Sequence, residues 1–311
     1  MKTTPRVQTL HAKSIDHFAD AFGPDWHTEC RQLNSGPFYF EETHVDLDGV
    51  NLCWDTFGAS VAAKQTRLSP GFTLNLILSA PSPALVNCRE VGLHSIVLVT
   101  PNTPLEYTAP EGIQVLTIDV DFDRFPFDFD NALPHPVTSV DPTLKDKLVT
   151  LSSDITESLK SNTASTRELN AYSDEVLHLL TFLLEPYFSP SPSEQKEIAK
   201  ALRSSAVLEE MKSYLRDLSR SSPPSISEMA EQLSLSEATA YRLFKNWCTI
   251  PPYQFHLIEK LHCFRTRLIE KPETSVTNAA LEAGFSDYSR AIQQYRHFFG
   301  ETPSATLRLL F

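Results

Sequence analysis

The sequences SISEMAEQLSLSE at residues 225–237 and SVTNAALEAGFSD at residues 275–287 repeat one pattern at a spacing of about 50 residues. Each begins with a serine, a residue type that caps helix N-termini, and continues with small or apolar residues at helical spacing. A residue suited to a tight turn follows, and then a further serine that begins a second helix. The pattern predicts two helix-turn-helix units, at about 225–246 and 274–297. The shared positions are the N-caps Ser225 and Ser275, the packed alanines Ala230 and Ala280, the turn residues Ser234 and Gly284, and the second N-caps Ser236 and Ser286.

The second helix of each unit is predicted from Ser236 to about Trp247 and from Ser286 to about Phe299. One face of each is apolar, whereas the other carries small polar, amide and guanidinium groups. Such groups read base edges and phosphates when a helix lies in the major groove. For one isolated unit a solvated helix pair is an equal alternative, because exposed helix faces are ordinarily polar. The candidate DNA-contacting residues are Ala238, Thr239, Tyr241, Arg242, Lys245, Tyr288, Ser289, Arg290, Gln293 and Arg296.

The segment between the units predicts one long helix, Tyr253–Glu270, with apolar residues mostly three or four apart and prolines on either side. Eighteen residues at about 1.5 Å each span roughly 27 Å. Successive major-groove segments on one side of B-DNA lie about 34 Å apart. The spacing therefore predicts that both recognition helices reach neighbouring groove segments of one duplex.

Residues 208–311 resemble the AraC/XylS family of bacterial transcription regulators, whose DNA-binding domain is two such units joined by a long helix. The resemblance rests on Ile226–Lys245 and Val276–Phe299, and includes Gly-Phe-Ser-Asp at 284–287 and Phe-Phe-Gly-x-x-Pro at 298–303. It implies an activator rather than a repressor, with RNA polymerase as a partner. The DNA contacts that it implies are Ala238, Tyr241, Arg242, Tyr288, Ser289, Arg290 and Gln293.

The sequence departs from the family pattern at three places. Gln293 stands where the second recognition helix usually has arginine, and Ala291 stands where it has a large apolar residue. An amide pairs with adenine, although a phosphate contact would be lost. The glycine that usually follows the first unit is absent from Cys248–Ile250, which leaves the turn geometry there open.

A Ser/Pro stretch at 189–193 reads as a linker, because proline interrupts helices and sheets. Before Glu194 the chain has 12 basic and 25 acidic residues, and from there on it has 15 and 14. The sequence therefore predicts an acidic effector-binding or dimerisation domain at 1–188, a linker at 189–195 and a DNA-binding domain at 196–311. An acidic domain repels phosphates, so we expect it to project away from the duplex.

The N-terminal half has short β-prone runs up to about Asp123 and helical spacing from Pro142 to Phe188. The predicted fold class is α+β: a cupin-like β-barrel with two C-terminal helices, followed by an all-α double helix-turn-helix domain. The run Gln32–Phe38 weakly resembles regulators of ethanolamine operons, which implies a pocket for a small-molecule effector. The candidate lining residues, for which plain core packing is the alternative, are Phe40, Trp54, Phe57, Arg67, Phe72 and Asn75.

Catalytic motifs are missing from the sequence, which has neither a nucleophile elbow nor a phosphate-binding glycine loop. His44, His94 and His135 stand apart from one another, so we expect no metal, no cofactor and no enzymatic activity. Alternating carboxylates in one strand indicate a solvated edge more than a cation site, and three thiols leave a redox sensor as a remote alternative. These groups are Asp119, Asp121 and Asp123, and Cys30, Cys53 and Cys88.

The chain has no apolar stretch long enough to span a bilayer, and its first twenty residues lack the apolar core of a secretion signal. We therefore expect a cytoplasmic protein. Dimerisation is one of the two roles expected of the acidic domain, so the expected assembly is a homodimer. The sequence favours a sequence-specific DNA-binding regulator controlled by an effector. Two alternatives remain: a metal-dependent cupin-type enzyme, and a protein-interaction module with an accessory helical domain.

Overall fold

The computed structural model describes residues 6–101, 103–125, 137–161, 165–188, 192–218, 222 and 224–308. Within these ranges the N-terminal part is built from two antiparallel sheets, three α-helices and a short 3-10 helix at Phe122–Arg124, and the C-terminal part is helical. The fold is therefore of the α+β class, as predicted.

A seven-stranded antiparallel sheet, called sheet A here, forms the larger layer. In spatial order its strands are β1 (Arg6–Ala12), β3 (Phe40–Asp46), β4 (Val50–Phe57), β11 (Gln114–Val120), β6 (Phe72–Ser79), β9 (Ser95–Val99) and β12 (Val137–Ser139). The smaller sheet B has the order β2 (Trp26–Gln32), β5 (Val61–Arg67), β10 (Leu105–Ala109), β7 (Ala84–Val86) and β8 (Arg89–Val91).

The two sheets face each other but stay separate in their hydrogen bonding among the described residues. The prediction of one barrel was therefore too specific, and an open two-sheet arrangement is observed. Side chains alternate across sheet A as the pleat requires. In β11, for example, Val115, Thr117 and Asp119 point into the space between the sheets, whereas Leu116 and Ile118 pack on the other side.

Two helices cover the outer face of sheet A: α2 (Pro142–Lys160) and α3 (Thr166–Phe188). Their apolar faces join the sheet in one buried cluster that includes Leu52, Leu116, Leu148 and Val176. A short helix, α1 (Ile15–Ala21), places Phe18 in the core between the sheets. The two predicted helices thus close the larger sheet.

The C-terminal part consists of seven helices in the described residues. Helix α4 begins at Pro192, so residues 192–195 of the predicted linker are helical, and residues 189–191 lie outside the described ranges. Proline is tolerated in a first helical turn because the amide it lacks would have no partner there. The helices are α4 (Pro192–Leu215), α5 (Ile226–Gln232), α6 (Glu237–Trp247), α7 (Pro252–Glu270), α8 (Val276–Glu282), α9 (Tyr288–Phe299) and α10 (Pro303–Arg308).

None of the helices within the described ranges combines the length and the apolar character needed to cross a membrane.

Candidate functional site

The first helix-turn-helix unit is formed by α5 and α6. The Ser225 side chain accepts from the Glu228 backbone N–H, and the Glu228 carboxylate accepts from that of Ser225, which completes a capping box. Ser234 adopts φ 53° in the turn. The Ser236 side chain then accepts from the Thr239 backbone N–H and caps α6. Local sequence alone thus determines where both helices begin.

The second unit is formed by α8 and α9 and differs from the first in its turn and its second cap. Gly284 has φ +82°, and a Cβ atom there would lie 2.3 Å from the Leu218 carbonyl oxygen, so only glycine fits. The second cap is Asp287, whose carboxylate accepts from the N–H groups of Ser289 and Arg290. The prediction that Ser286 caps this helix was wrong by one residue.

The inner faces of both recognition helices are buried, as their apolar patterns predict. Ala240, Phe244 and Trp247 of α6 pack in one cluster with α4 and α5. Ala291 and Tyr295 of α9 pack in another with α7 and α8. Leu243 is half-buried. Ala291 is 0% exposed, so this departure from the family pattern lies in the core and not on the outer face of α9.

The outer faces of α6 and α9 are open to solvent. Tyr241 is 56% exposed and Tyr288 is 50% exposed, so both phenol rings are accessible to a partner. Thr239 is half-buried and shares a hydrogen bond with the Ser236 hydroxyl. The other candidate DNA-contacting residues, all exposed, are Ala238, Arg242, Lys245, Ser289, Arg290, Gln293 and Arg296.

Helix α7 joins the two units without a break over 19 residues. Its start at Pro252 and end at Glu270 agree with the predicted helix to within one residue. The segment after the first unit needs no glycine, because Cys248 has an extended backbone with φ −140°. The departure from the family pattern at Cys248–Ile250 is therefore accommodated without strain.

The two domains are in direct contact through the outer face of sheet B. Glu106 on β10 accepts from Lys212 Nζ at 2.5 Å and from Trp247 Nε1 at 3.0 Å. On the same strand, the Thr108 hydroxyl donates to the Trp247 carbonyl at 2.9 Å. Trp247 is the last residue of α6, so one sheet strand holds the end of the first recognition helix.

The connecting helix α7 contacts strand β2. His262 Nε2 lies 3.1 Å from the Gln32 carbonyl oxygen, and the buried ring stacks edge-on against Phe299. Burial and the nearby Arg31 guanidinium hold the pKa of His262 well below its usual range. The neutral ring therefore donates to the Gln32 carbonyl. The N-terminal and C-terminal domains thus pack together through these contacts.

A cavity lies between the inner faces of the two sheets, and its empty space together with the open mouth amounts to about 890 Å³. Its wall is mostly apolar, with a polar end formed by side chains of β3, β4, β6 and β11 in sheet A. Phe40, Phe57 and Asn75 line it, whereas Arg67 lines an adjoining polar cavity. The other two candidate lining residues, Trp54 and Phe72, lie outside both cavities.

Trp54 and Phe72 point to the opposite side of sheet A and line neither cavity in the described residues. The Trp54 indole N–H donates to Thr156 on α2 at 3.0 Å. Phe72 packs edge-on against Phe125 in the cluster under α2 and α3. Successive strand residues face opposite ways, so an error of one position moves a side chain from the cavity to the helix-covered face.

The polar end of the cavity is dense in carboxylates. Asp119 accepts from Arg67 Nη1 at 2.7 Å and also bonds the Thr73 hydroxyl, so it is not the solvated edge that the sequence suggested. Asp55 accepts from Thr117 at 2.7 Å. Burial raises the pKa of both carboxyl groups, and for Asp119 the Arg67 cation works against that rise.

Beside these carboxylates, Glu42, His44 and Cys53 bring their side chains together. His44 Nδ1 lies 3.3 Å from Cys53 Sγ and 3.5 Å from Glu42 Oε1. The hydrogen bond to Glu42 raises the pKa of His44, and burial raises that of Cys53. Sequence reasoning treated His44 as isolated. The signal that would have found the cluster is the alternation Glu42-x-His44 facing a cysteine across a hairpin.

The other two thiols considered for a redox sensor, Cys30 and Cys88, show no sign of raised reactivity. Burial raises the pKa of Cys30 to about 12 and that of Cys88 to about 11. A thiol held protonated is a poor nucleophile. These groups therefore act as packing residues.

The matches to known protein families and curated proteins lie in the C-terminal domain. Residues 229–309 match the family model described as "Helix-turn-helix domain". The "XylDLEGF operon transcriptional activator 1" of Pseudomonas putida is 37% identical over 86 residues, which is 27% of this chain and 26% of that protein. The "XylDLEGF operon transcriptional activator 2" of the same organism is 35% identical over 88 residues, 27% of this chain and 55% of that protein. The chain thus spans about a quarter to a half of these curated relatives.

Among solved structures, the AraC-like transcriptional activator CuxR is similar over 89% of this chain and 100% of that one, at 13% identity and a TM-score of 0.46. ToxT from Vibrio cholerae, solved with (E)-4-(8-methylnaphthalen-1-yl)but-3-enoic acid, is similar over 92% of this chain and 100% of that one, at 12% identity and a TM-score of 0.31. The family match and the curated relatives agree with the motifs at 284–287 and 298–303. The C-terminal domain of this chain is therefore a helix-turn-helix domain of the AraC/XylS family.

Proposed function

We propose that the protein is a cytoplasmic, sequence-specific DNA-binding transcription regulator, an activator controlled by a small-molecule effector. The observation that carries this proposal is the pair of helix-turn-helix units whose inner faces are buried while their outer faces expose tyrosine and arginine side chains. The curated relatives that match this domain are named transcriptional activators. An activator has RNA polymerase as a partner, which we propose here as well.

Helices α6 and α9 are the proposed DNA-reading elements. Arg242 and Arg290 carry guanidinium groups suited to guanine edges or phosphates, and Gln293 carries an amide suited to adenine. Helix α7 has 19 residues, about 28 Å at 1.5 Å per residue, close to one turn of B-DNA. This supports the proposal that α6 and α9 enter neighbouring major-groove segments. The remaining proposed contacts are Ala238, Thr239, Tyr241, Lys245, Tyr288, Ser289 and Arg296.

The cavity between the sheets is the proposed effector site. Apolar walls with a few polar groups suit a small molecule with an apolar body. Phe40 and Phe57 would contact that body, and Asn75 and Arg67 would contact polar groups at its end. We also propose that the N-terminal domain is cupin-like, which two facing antiparallel sheets with a cavity between them support.

Strand β10 of sheet B contacts both this cavity and the helical DNA-binding domain. On β10, Leu105 and Tyr107 line the cavity, whereas Glu106 and Thr108 hold α4 and α6 on the other face. A ligand that displaces β10 therefore acts on the end of the first recognition helix. We propose that the effector shifts the populations of two domain arrangements that differ in DNA affinity.

A homodimer is proposed for the N-terminal domain, residues 1–188, which is called the sensor domain here because of its proposed effector site. Helix α3 exposes Phe182 to 48% on the outer side of the domain, where a second copy would cover it. The oligomeric state is measured by sedimentation of the full chain, and a Phe182→Asp variant is expected to be monomeric.

Fluorescence anisotropy with the DNA upstream of the protein's own coding sequence tests the regulator assignment. We expect specific binding by the full chain and weaker binding by Arg242→Ala and Arg290→Ala. Lys147→Ala on α2 is the matched control, because it removes an exposed cation from the sensor domain. Equal affinities for that DNA and for a scrambled duplex would contradict the proposal.

A further inference from the structure

The side chains of Glu42, His44 and Cys53 meet because β3 and β4 form an antiparallel pair. His44 stands directly opposite Cys53 in the register, and Glu42 lies two residues before His44 on the same face. The three possible ligand atoms, Glu42 Oε, His44 Nδ1 and Cys53 Sγ, all lie within 4.8 Å of one another. The fold thus brings a carboxylate, an imidazole and a thiol to one point.

Two of the three separations between the ligand atoms fit a tetrahedral metal site. Zinc bonds of about 2.0 to 2.3 Å place neighbouring ligand atoms roughly 3.3 to 3.7 Å apart. The observed 3.3 Å from Cys53 Sγ to His44 Nδ1 and 3.5 Å from His44 Nδ1 to Glu42 Oε1 lie at these values. A cation would enter with little movement of either strand. A plain thiol-to-imidazole hydrogen bond is the competing explanation for the shorter distance.

The donor set determines which cation fits. A thiolate with an imidazole selects borderline and soft metals such as Zn²⁺ over Mg²⁺ and Ca²⁺, which take oxygen ligands. Three protein ligands leave the fourth position of a tetrahedron open. All three side chains line the polar cavity, and Glu42 and Cys53 also line the apolar one, so that position is reachable from both.

The surroundings provide a second, independent indication of a missing partner. Asp55 stands opposite Glu42 in the register, and its Oδ1 atom is buried with no hydrogen-bond partner among the described residues. A buried carboxylate oxygen costs free energy unless a donor or a cation satisfies it. Asp121 and Asp123 line the same polar cavity and add negative charge, which attracts a cation.

We propose that Glu42, His44 and Cys53 bind one Zn²⁺ ion at the junction of the two cavities. The site departs from the sequence-level expectation of no metal. The metal site does not depend on the proposed DNA binding, because Zn²⁺ affinity is measured without DNA.

The first test uses the purified, reduced, metal-free full chain. Competition with a chromophoric chelator should show one high-affinity Zn²⁺ per chain. Substitution by Co²⁺ should give the charge-transfer band of a cobalt–thiolate bond together with the visible bands of a tetrahedral site. A chain that takes up no Zn²⁺, or a Co²⁺ complex without the thiolate band, would overturn the proposal.

Variants assign the ligands. Cys53→Ser should lose the thiolate band, and Cys53→Ser and His44→Gln should each weaken Zn²⁺ binding by more than the roughly 10- to 100-fold that loss of an outer-shell partner costs. Cys88→Ser, which alters a half-buried thiol of the same domain outside the cluster, should keep both properties. Should Cys53→Ser not fold, Glu42→Gln keeps the thiol and should bind Zn²⁺ more weakly. Unchanged affinity in the folded variants would place the metal elsewhere and refute the site.

Discussion

Arg265 in the middle of α7 donates a hydrogen bond from Nε to Asp16 Oδ2 on α1 at 2.6 Å, joining residues 249 positions apart in the chain. The same guanidinium donates from Nη1 to Glu301 at 2.5 Å and to the Tyr295 hydroxyl at 3.1 Å. The Arg265 side chain is 5% exposed, so its charge depends on these partners. One cation therefore connects the sensor domain to the second helix-turn-helix unit.

Removal of the sensor-side partner should weaken this connection. Asp16→Ala leaves Glu301 in place, and Asp16 itself is 35% exposed, so we expect a loss of about 1 to 2 kcal/mol in the free energy of unfolding. Urea denaturation measures it. Asp20→Ala is the control, because it removes an exposed carboxylate from the end of the same helix. Equal stabilities for the two variants would show that the contact contributes nothing.

The domain contact at His262 should be sensitive to acid. The folded state holds the ring neutral with a depressed pKa, whereas the unfolded chain protonates near pH 6.5. Below that value the unfolded state binds the extra proton, so stability is complete above about pH 6.5 and falls as the pH drops, by up to about 1.4 kcal/mol per pH unit. The charged neighbours Arg31 and Arg265 add to the cost of a protonated ring.

The measurement is the difference between wild type and His262→Gln, because an amide keeps a donor for the Gln32 carbonyl but does not titrate. The stability of the variant should fall less between pH 7 and pH 5. His297→Gln, at an exposed histidine of α9, should behave like the wild type. The comparison is needed because raised carboxyl pKa values, as at Asp55 and Asp119, act in the opposite direction. Parallel curves for all three proteins would contradict the assignment.

Gly284 offers a test of the second turn. Alanine there would be strained by φ +82° and would place Cβ 2.3 Å from the Leu218 carbonyl oxygen. We expect a loss of about 2 kcal/mol or more in the free energy of unfolding. Gly112→Ala is the control, since Gly112 also has positive φ, +82°, but nothing within 4 Å of a Cβ atom. A loss equal to that control would leave no role for the carbonyl contact.

The effect of replacing Arg242 should show whether this residue contacts a base or a phosphate. Arg242→Ala should weaken binding to the upstream DNA by about 1 to 3 kcal/mol if the guanidinium contacts a base or a charged phosphate. A phosphate contact should also lower the salt dependence of binding by about one counterion, whereas a base contact should relax sequence preference. Anisotropy titrations at several salt concentrations separate these outcomes. Unchanged affinity would remove Arg242 from the interface.

The helical C-terminal domain was predictable because its signals are local. Ser225 and Ser275 cap helices in the structure as their sequence context indicates, and the long helix ends where prolines enclose it. Capping depends on residues three positions apart, which a sequence shows directly. The cap at Asp287 was misplaced because Ser286 and Asp287 are both good capping residues and adjacent in the chain.

Sheet B was hardly predictable. Strand β5 alternates buried and half-buried residues, but its inward positions include Gln65 and Arg67, which obscure an apolar pattern. Its outward side packs beneath the helical domain, through Ala62 for example. Such packing joins parts of the chain that lie more than a hundred residues apart. No local pattern specifies a contact of that kind.

The candidate sites follow the same division. The recognition faces lie on single helices and could be read from periodicity, whereas the Glu42, His44 and Cys53 cluster depends on the β3–β4 register. The same register turns Trp54 away from the cavity while Cys53 and Asp55 face it. Neither the cluster nor the direction of Trp54 can be predicted until the pairing of β3 with β4 is known.

Substitution of Glu106 should break the connection between strand β10 of the sensor domain and the end of the first recognition helix, α6. Its carboxylate bonds Lys212, which is 1% exposed, and Trp247 at the end of α6. Glu106→Gln leaves the buried ammonium with Glu209 alone, so we expect a loss of about 2 to 4 kcal/mol in the free energy of unfolding. Glu209→Gln, at a 47% exposed partner of the same lysine, should cost less than about 1 kcal/mol.

Hydrogen exchange locates the effect of Glu106→Gln. The backbone amides of β10 and of the last turn of α6 should lose protection together, because the carboxylate connects them, while those of α9 should keep theirs. In the Glu209→Gln control both segments should stay protected. If β10 became mobile and α6 did not, the strand would not be the element that links the cavity to the first recognition helix.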